Sequence, residues 1–103
     1  MNDIDSLKIQ ILQKLIRGSV WGGKHTPLYF IKKGIPMNYR NTHKGQKIFE
    51  MVIQELSNAT WITIVSKRTG RGSEEHISLN QKMIGEIYRY LEEKTKNETM
   101  KLM

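Results

Sequence analysis

The chain has 103 residues, enough for one domain with a single core, and we expect residues 1–103 to form one domain. It contains no cysteine, which excludes disulfides, thiolate metal sites and cysteine catalysis. Acids and lysines interrupt the apolar residues near the N-terminus, so neither a signal peptide nor a membrane span is predicted there, and we expect a cytoplasmic protein.

The formal net charge of +7 is concentrated in the middle of the chain. Residues 1–23 carry three bases and two acids (+1), residues 24–72 carry nine and two (+7), and residues 73–103 carry five and six (−1). Such a block of positive charge is typical of a surface that binds a polyanion. A solvated basic face without a ligand is the alternative.

Residues 4–16 are predicted to form the first helix, because apolar residues recur at three- and four-residue steps along two adjacent stripes. Either both stripes pack into the core of one chain, or one of them contacts a second subunit. The first stripe contains Ile4, Leu7, Ile11 and Leu15, and the second contains Ile9, Leu12 and Ile16.

Residues 18–25 show no periodic pattern, and Val20-Trp21 is predicted to be a short strand that joins the sheet formed later in the chain. Gly22-Gly23-Lys24 lacks the spacing of a nucleotide-binding P-loop, so nucleotide hydrolysis is rejected.

A second helix is predicted to begin at Thr26-Pro27, with the hydroxyl as a cap and proline in the first helical position. Gly34 is expected to end it after about two turns. Lys32 and Lys33 in its last turn either complement the helix dipole or contact a phosphate backbone.

Residues 37–41 are interpreted as a connector to a third helix over about 42–57, capped by Asn41 or Thr42. Gly45 in its first turn either permits close approach to DNA or marks where the regular helix begins. The predicted buried stripe consists of Ile48, Phe49, Val52, Ile53 and Leu56.

The opposite face of this third helix carries amide and cationic side chains in its N-terminal half. Gln46 is a side chain that can bind adenine, and Lys44 and Lys47 suit guanine or phosphate. Because recognition helices usually enter the major groove by their N-terminal residues, this face is a candidate for base contacts.

Two strands, 61–65 and 76–79, are predicted on either side of a basic turn over residues 67–73. The glycines at 70 and 72 permit positive φ, so the chain can reverse there and expose its cations. Asn80 is expected to cap a last helix that ends near Lys94, followed by a frayed tail over 95–103.

This order of elements over residues 4–93 resembles the winged helix-turn-helix family of DNA-binding regulators. The segments Trp21-Gly-Gly-Lys-His-Thr-Pro27 and Thr69-Gly-Arg-Gly-Ser-Glu-Glu-His-Ile-Ser-Leu-Asn80 also look like those of small archaeal proteins of this type. The resemblance implies an α+β, mostly helical fold with a small antiparallel wing sheet and a C-terminal helix. The connector 34–41 is longer than the turn of a compact helix-turn-helix, so the angle of the third helix stays open.

By this resemblance the protein is a transcriptional regulator whose partner is double-stranded DNA, with a homodimer formed through the N- and C-terminal helices. The resemblance places Arg40, Thr42, His43, Lys44, Gln46 and Lys47 on the recognition helix and its approach, and Lys67, Arg68 and Arg71 on the wing. The remaining cations of the basic block, Lys24, Lys32 and Lys33, are added as DNA-binding candidates.

No catalytic constellation is found, and we expect a protein that is not an enzyme and uses no cofactor or metal. His25, His43 and His76 are dispersed along the chain, with no pair at the spacing of two ligands on one helix face. One rival hypothesis is a protein-interaction module of a larger nucleic-acid-processing assembly, favoured by the wide apolar surface of the first helix. The other is RNA binding, in which Tyr29, Tyr39 or Tyr90 would stack on bases.

Overall fold

A computed structural model describes the backbone of residues 3–70 and 72–102 and the side chains of residues 4–70 and 72–96. The described elements are α1 (Asp3–Arg17), β1 (Thr26–Pro27), α2 (Leu28–Lys33), α3 (Asn38–Asn41), α4 (His43–Asn58), β2 (Ile62–Thr69), β3 (Gly72–Leu79), a 3-10 turn (Gln81–Met83) and α5 (Ile84–Leu102). The fold is therefore α+β and mostly helical, with a winged-helix-like arrangement.

The sheet has three antiparallel strands in the order β1-β3-β2. The β2–β3 hairpin is in register from Ile62 opposite Leu79 to Thr69 opposite Gly72, so only two residues connect the strands. The predicted turn over 67–73 is thus shorter than expected, and Lys67 and Arg68 belong to β2. Gly72 has a φ of +130°, which an L side chain rarely adopts, and this permits the tight reversal.

The edge strand β1 corrects the prediction that Thr26-Pro27 begins a helix. Thr26 pairs with Ile77 and Pro27 pairs with His76, and no side chain caps the start of α2 at Leu28. Two properties of proline explain the difference. It biases the residue before it towards extended backbone, and it is tolerated at a sheet edge where its missing N–H has no partner to lose.

Val20 and Trp21 contact the sheet as expected, but only through a single parallel bridge. The Leu79 amide donates to the Val20 carbonyl at 2.8 Å, and the bridge joins Trp21 to Leu79. The third strand of the sheet is β1 instead.

The connector 37–41 is also corrected, because Asn38–Asn41 forms the short helix α3. The Thr42 hydroxyl donates to the Asn38 carbonyl at 2.7 Å and accepts from the Gly45 amide at 2.9 Å. Thr42 is therefore the cap of α4, and it joins α4 to α3 at the same time.

Both apolar stripes of α1 pack into the core of this chain, which decides between the two alternatives for this helix. Leu7, Ile11 and Leu15 of the first stripe and Ile9 and Leu12 of the second are buried. The rest of the buried apolar core consists of Ile31, Ile35, Tyr39, Phe49, Val52, Leu56, Ile62, Ile77, Leu79, Ile87 and Leu91.

The last helix begins later and extends further than predicted. Asn80 caps the 3-10 turn by accepting from the Lys82 amide, and α5 then runs to Leu102, well past Lys94. Tyr90 holds α5 against α1 by donating to Asp5 at 3.1 Å, and its ring packs edge-on against Trp61. It is half-buried in this contact, so its hydroxyl and ring already have partners within the chain.

Candidate nucleic-acid interface

Helix α4 presents a cationic face to solvent because its apolar residues are committed to the core. Phe49, Val52 and Leu56 are buried. His43, Lys44 and Lys47 are exposed in its first two turns, and its first turn contains no acid. Together with the positive end of the helix dipole, these side chains give the start of α4 a potential that favours anions.

Gly45 serves the packing of α4 on α3. A Cβ atom at this position would lie 1.9 Å from the Asn38 carbonyl oxygen, closer than any real contact. Helix α4 already begins at His43, two residues before Gly45. Neither close approach to DNA nor the start of the regular helix explains the glycine at this position. The backbone that approaches it closely is that of Asn38 in the same chain.

Gln46 has an intramolecular partner that the sequence did not reveal. Its Nε2 donates to the Arg40 carbonyl at 2.6 Å, which ties the side chain to the end of α3. The side chain is exposed, and its amide oxygen remains available as an acceptor. Arg40 is half-buried, and its Nε has no hydrogen-bond partner among the described residues.

The two described cations of the hairpin, Lys67 and Arg68, do not form one patch. Lys67 and Arg68 are consecutive in β2, and side chains of consecutive strand residues point to opposite faces. Lys67 lies opposite Glu74 in the register, on the face of Val65, whereas Arg68 lies opposite Ser73. Arg71, the third predicted wing cation, lies outside the described residues.

The cations of the loop after α1 and of α2 are held in different ways. Lys24 is exposed in a turn, and its backbone amide donates to the Trp21 carbonyl. Lys32 is half-buried, with its ammonium 5.2 Å from the centre of the Phe49 ring, and Lys33 lies 5.3 Å from the centre of the Tyr29 ring. Ring contacts of this kind leave the ammonium hydrogens free for phosphate oxygens.

Acids line the space between the helices and the hairpin, which the charge distribution along the chain did not predict. Two open cavities of about 350 and 300 Å³ share Leu28, Lys32 and Glu75 in their walls. Glu74 completes the acidic lining of the first cavity, and Glu50 that of the second. The interface is thus cationic at the start of α4 and mixed in charge towards β3.

Two histidines that are 51 residues apart meet beside the edge strand. The Nδ1 atoms of His25 and His76 are 2.8 Å apart, and Nε2 of His76 is 3.5 Å from a Glu74 carboxylate oxygen. Partial desolvation, with Lys67 and His76 nearby, lowers the pKa of His25 below its usual value. No spacing rule anticipates this pair, because the β1–β3 register creates it. Across the part of the chain that the structure describes, no three metal-ligating side chains are grouped to hold a metal ion.

No model of a known protein family matches the chain, and a comparison with curated proteins gives no significant match. Within residues 3–70 and 72–102, no helix is long and apolar enough to cross a membrane.

Proposed function

We propose that the protein binds double-stranded DNA in the cytoplasm as a non-enzymatic transcriptional regulator of the winged helix-turn-helix type. The observation that carries the proposal is the exposed face of α4, where His43, Lys44 and Lys47 project from the N-terminal half of a helix whose other side is buried. A helix about 10–12 Å across fits the major groove of B-DNA, which is about 12 Å wide.

In this arrangement α4 enters the major groove and the hairpin approaches the neighbouring backbone or minor groove. Lys44 and Lys47 contact bases or phosphates from the helix. Because Lys67 and Arg68 point to opposite faces of β2, we expect only one of them to contact a given DNA strand. Lys24, Lys32 and Lys33 then serve as flanking phosphate contacts.

The proposal includes a homodimer, with its contact on α5. The apolar residues of α1 pack into the core of one chain, so of the two terminal helices only α5 has exposed large apolar side chains among the described residues. Ile84 is 40% exposed and Tyr88 is 46% exposed, one turn apart on the same face.

The structural support for the two rival functions is weaker than for DNA binding. The wide apolar surface of α1, which favoured a protein-interaction module, lies in the core. Of the three tyrosines proposed to stack on RNA bases, Tyr39 is buried, Tyr90 is half-buried against Trp61, and Tyr29 is exposed.

The proposal is tested by fluorescence-anisotropy titration of the protein against random duplex DNA at about 50 and 200 mM salt. We expect micromolar binding that weakens by at least an order of magnitude at the higher salt, because binding releases counterions from the phosphates. Single-stranded RNA serves as the competitor. Failure to bind duplex at the lower salt, or preferential binding of RNA, would contradict the proposal.

A further inference from the structure

Glu50 is an acidic exception within the basic block. Residues 24–72 contain two acids, and the other one, Glu55, forms an ion pair with Lys8 at 2.8 Å. Glu50 is exposed. Among the described side chains, ion pairs involve the carboxylates of Asp5, Glu55 and Glu74, and Glu50 takes part in none.

Its position places this carboxylate on the face of α4 proposed to meet DNA. His43, Lys47 and Glu50 follow one another at four- and three-residue steps, so they lie on one side of the helix. The first and the last are seven positions apart, a rise of about 10 Å along the helix, which is within the width of the major groove.

Nearby cations leave the carboxylate available. Glu50 and Lys32 line the same cavity of about 300 Å³, but no ion pair joins them. Glu75, the second acid of this cavity, adds negative potential beside Glu50.

We propose that Glu50 determines specificity by accepting a hydrogen bond from the exocyclic amino group of a base in the major groove, with cytosine N4 as the preferred donor. This inference rests on the proposed function. An ionised carboxylate only accepts hydrogen bonds, so it is repelled by the acceptors that guanine and thymine present there. Adenine offers an amino group next to the N7 acceptor, whereas cytosine offers the amino group alone, which favours cytosine.

The same charge also weakens binding to the wrong sequence. A carboxylate near the phosphates lowers affinity for DNA unless a base donor compensates it, because buried charges need hydrogen-bond partners. Glu50 therefore raises the ratio of specific to non-specific binding from both directions.

The experiment is selection of binding sites from a randomised duplex library with the full-length protein, followed by anisotropy titration of the enriched site and its single-base variants. We expect one position to favour cytosine by about 5- to 10-fold in the wild type. Glu50→Ala is expected to remove this preference and Glu50→Gln to shift it towards adenine, since an amide pairs with the adenine N6 and N7 atoms.

Glu93→Gln is the matched control for Glu50→Gln, because it removes the same charge at an exposed site on α5, away from α4. It is expected to leave every base preference unchanged. Circular dichroism checks that the Glu50 variants are folded.

Each remaining outcome overturns the inference. If both Glu50 variants enrich the wild-type motif, or change the preference only at A·T pairs, Glu50 does not bind cytosine and DNA binding itself stands. If the wild type does not bind duplex DNA, the proposed function and this inference fall together.

Discussion

The Nδ1 atoms of His25 and His76 lie 2.8 Å apart, beside the point where β1 pairs with β3. One ring must donate and the other accept in this bond, so it is lost when both imidazoles are protonated. Lys67 of β2 and Glu74 of β3 are the charged neighbours of the pair. The contact therefore links attachment of the edge strand to the protonation of His25.

We expect the stability of the fold to decrease as the pH falls below about 6.5, the usual pKa of histidine. The pKa of His25 is lower in the folded state, so the unfolded chain binds more protons in this range and stability rises with pH. Thermal melts followed by circular dichroism between pH 5 and 7.5 measure the effect.

His25→Gln is the comparison for this pH effect, because it keeps a polar side chain that does not titrate. The variant is expected to show a smaller change in Tm across the same range. Asp5 does not contribute to the pH dependence in this range. Its desolvation is outweighed by hydrogen bonds from Lys94 and Tyr90, which hold its pKa below 3.8. An equal pH dependence in the variant and the wild type would contradict the role of His25.

Gly45→Ala is expected to destabilise the fold by about 1–3 kcal/mol. The added methyl group would overlap the Asn38 carbonyl, and backbone atoms of two packed helices cannot move aside cheaply. Gly85→Ala in α5 is the control, because nothing lies within 4 Å of its added methyl group.

The Gly85→Ala control is expected to raise the free energy of unfolding by about 0.4–1 kcal/mol, because alanine lowers the entropy of the unfolded chain. Urea denaturation of the two variants, compared with the wild type, measures both effects. Equal stability of the two alanine variants would show that α3 and α4 separate readily at Gly45.

Lys44→Ala is expected to reduce the salt dependence of duplex binding by about 0.9 in the slope of log K against log salt, the value for one phosphate contact. Lys96→Ala, an exposed lysine of α5, provides the control and is expected to leave the slope unchanged. Anisotropy titrations at four salt concentrations give both slopes. Identical slopes for the two variants would place the DNA away from the start of α4.

Tyr88→Glu is expected to convert a homodimer into a monomer, because it places a charge in the exposed apolar face of α5. Light scattering after size-exclusion chromatography should give twice the 12.1 kDa chain mass for the wild type and one chain mass for the variant. Val65→Glu on β2 alters an equally exposed side chain, 46% in both cases, and should stay dimeric. A wild-type protein of one chain mass would remove the dimer from the proposal.

Much of the fold follows from local patterns in the sequence. The three- and four-residue recurrence of apolar residues in α1 and α4 and the alternation in β3 predict these elements, because each period puts the apolar side chains on one side. Caps at Asn41 or Thr42 and at Asn80 are likewise predicted, since a hydroxyl or amide before an apolar periodic segment can satisfy free amides. Of the first two, the structure shows Thr42 as the cap. The cationic, exposed half of α4 follows from the same periodicity.

The sequence by itself thus determined helices α1 and α4, the hairpin and the position of the basic block, because these depend on neighbours within a few residues. Only the tertiary structure decided that Thr26-Pro27 is a strand, that Gly45 accommodates Asn38 and that His25 meets His76. Each of these results from contacts between separate elements, whose distances depend on how the helices and the sheet pack. The burial of both α1 stripes belongs to the same class, since a stripe shows which side is apolar and packing decides what covers it.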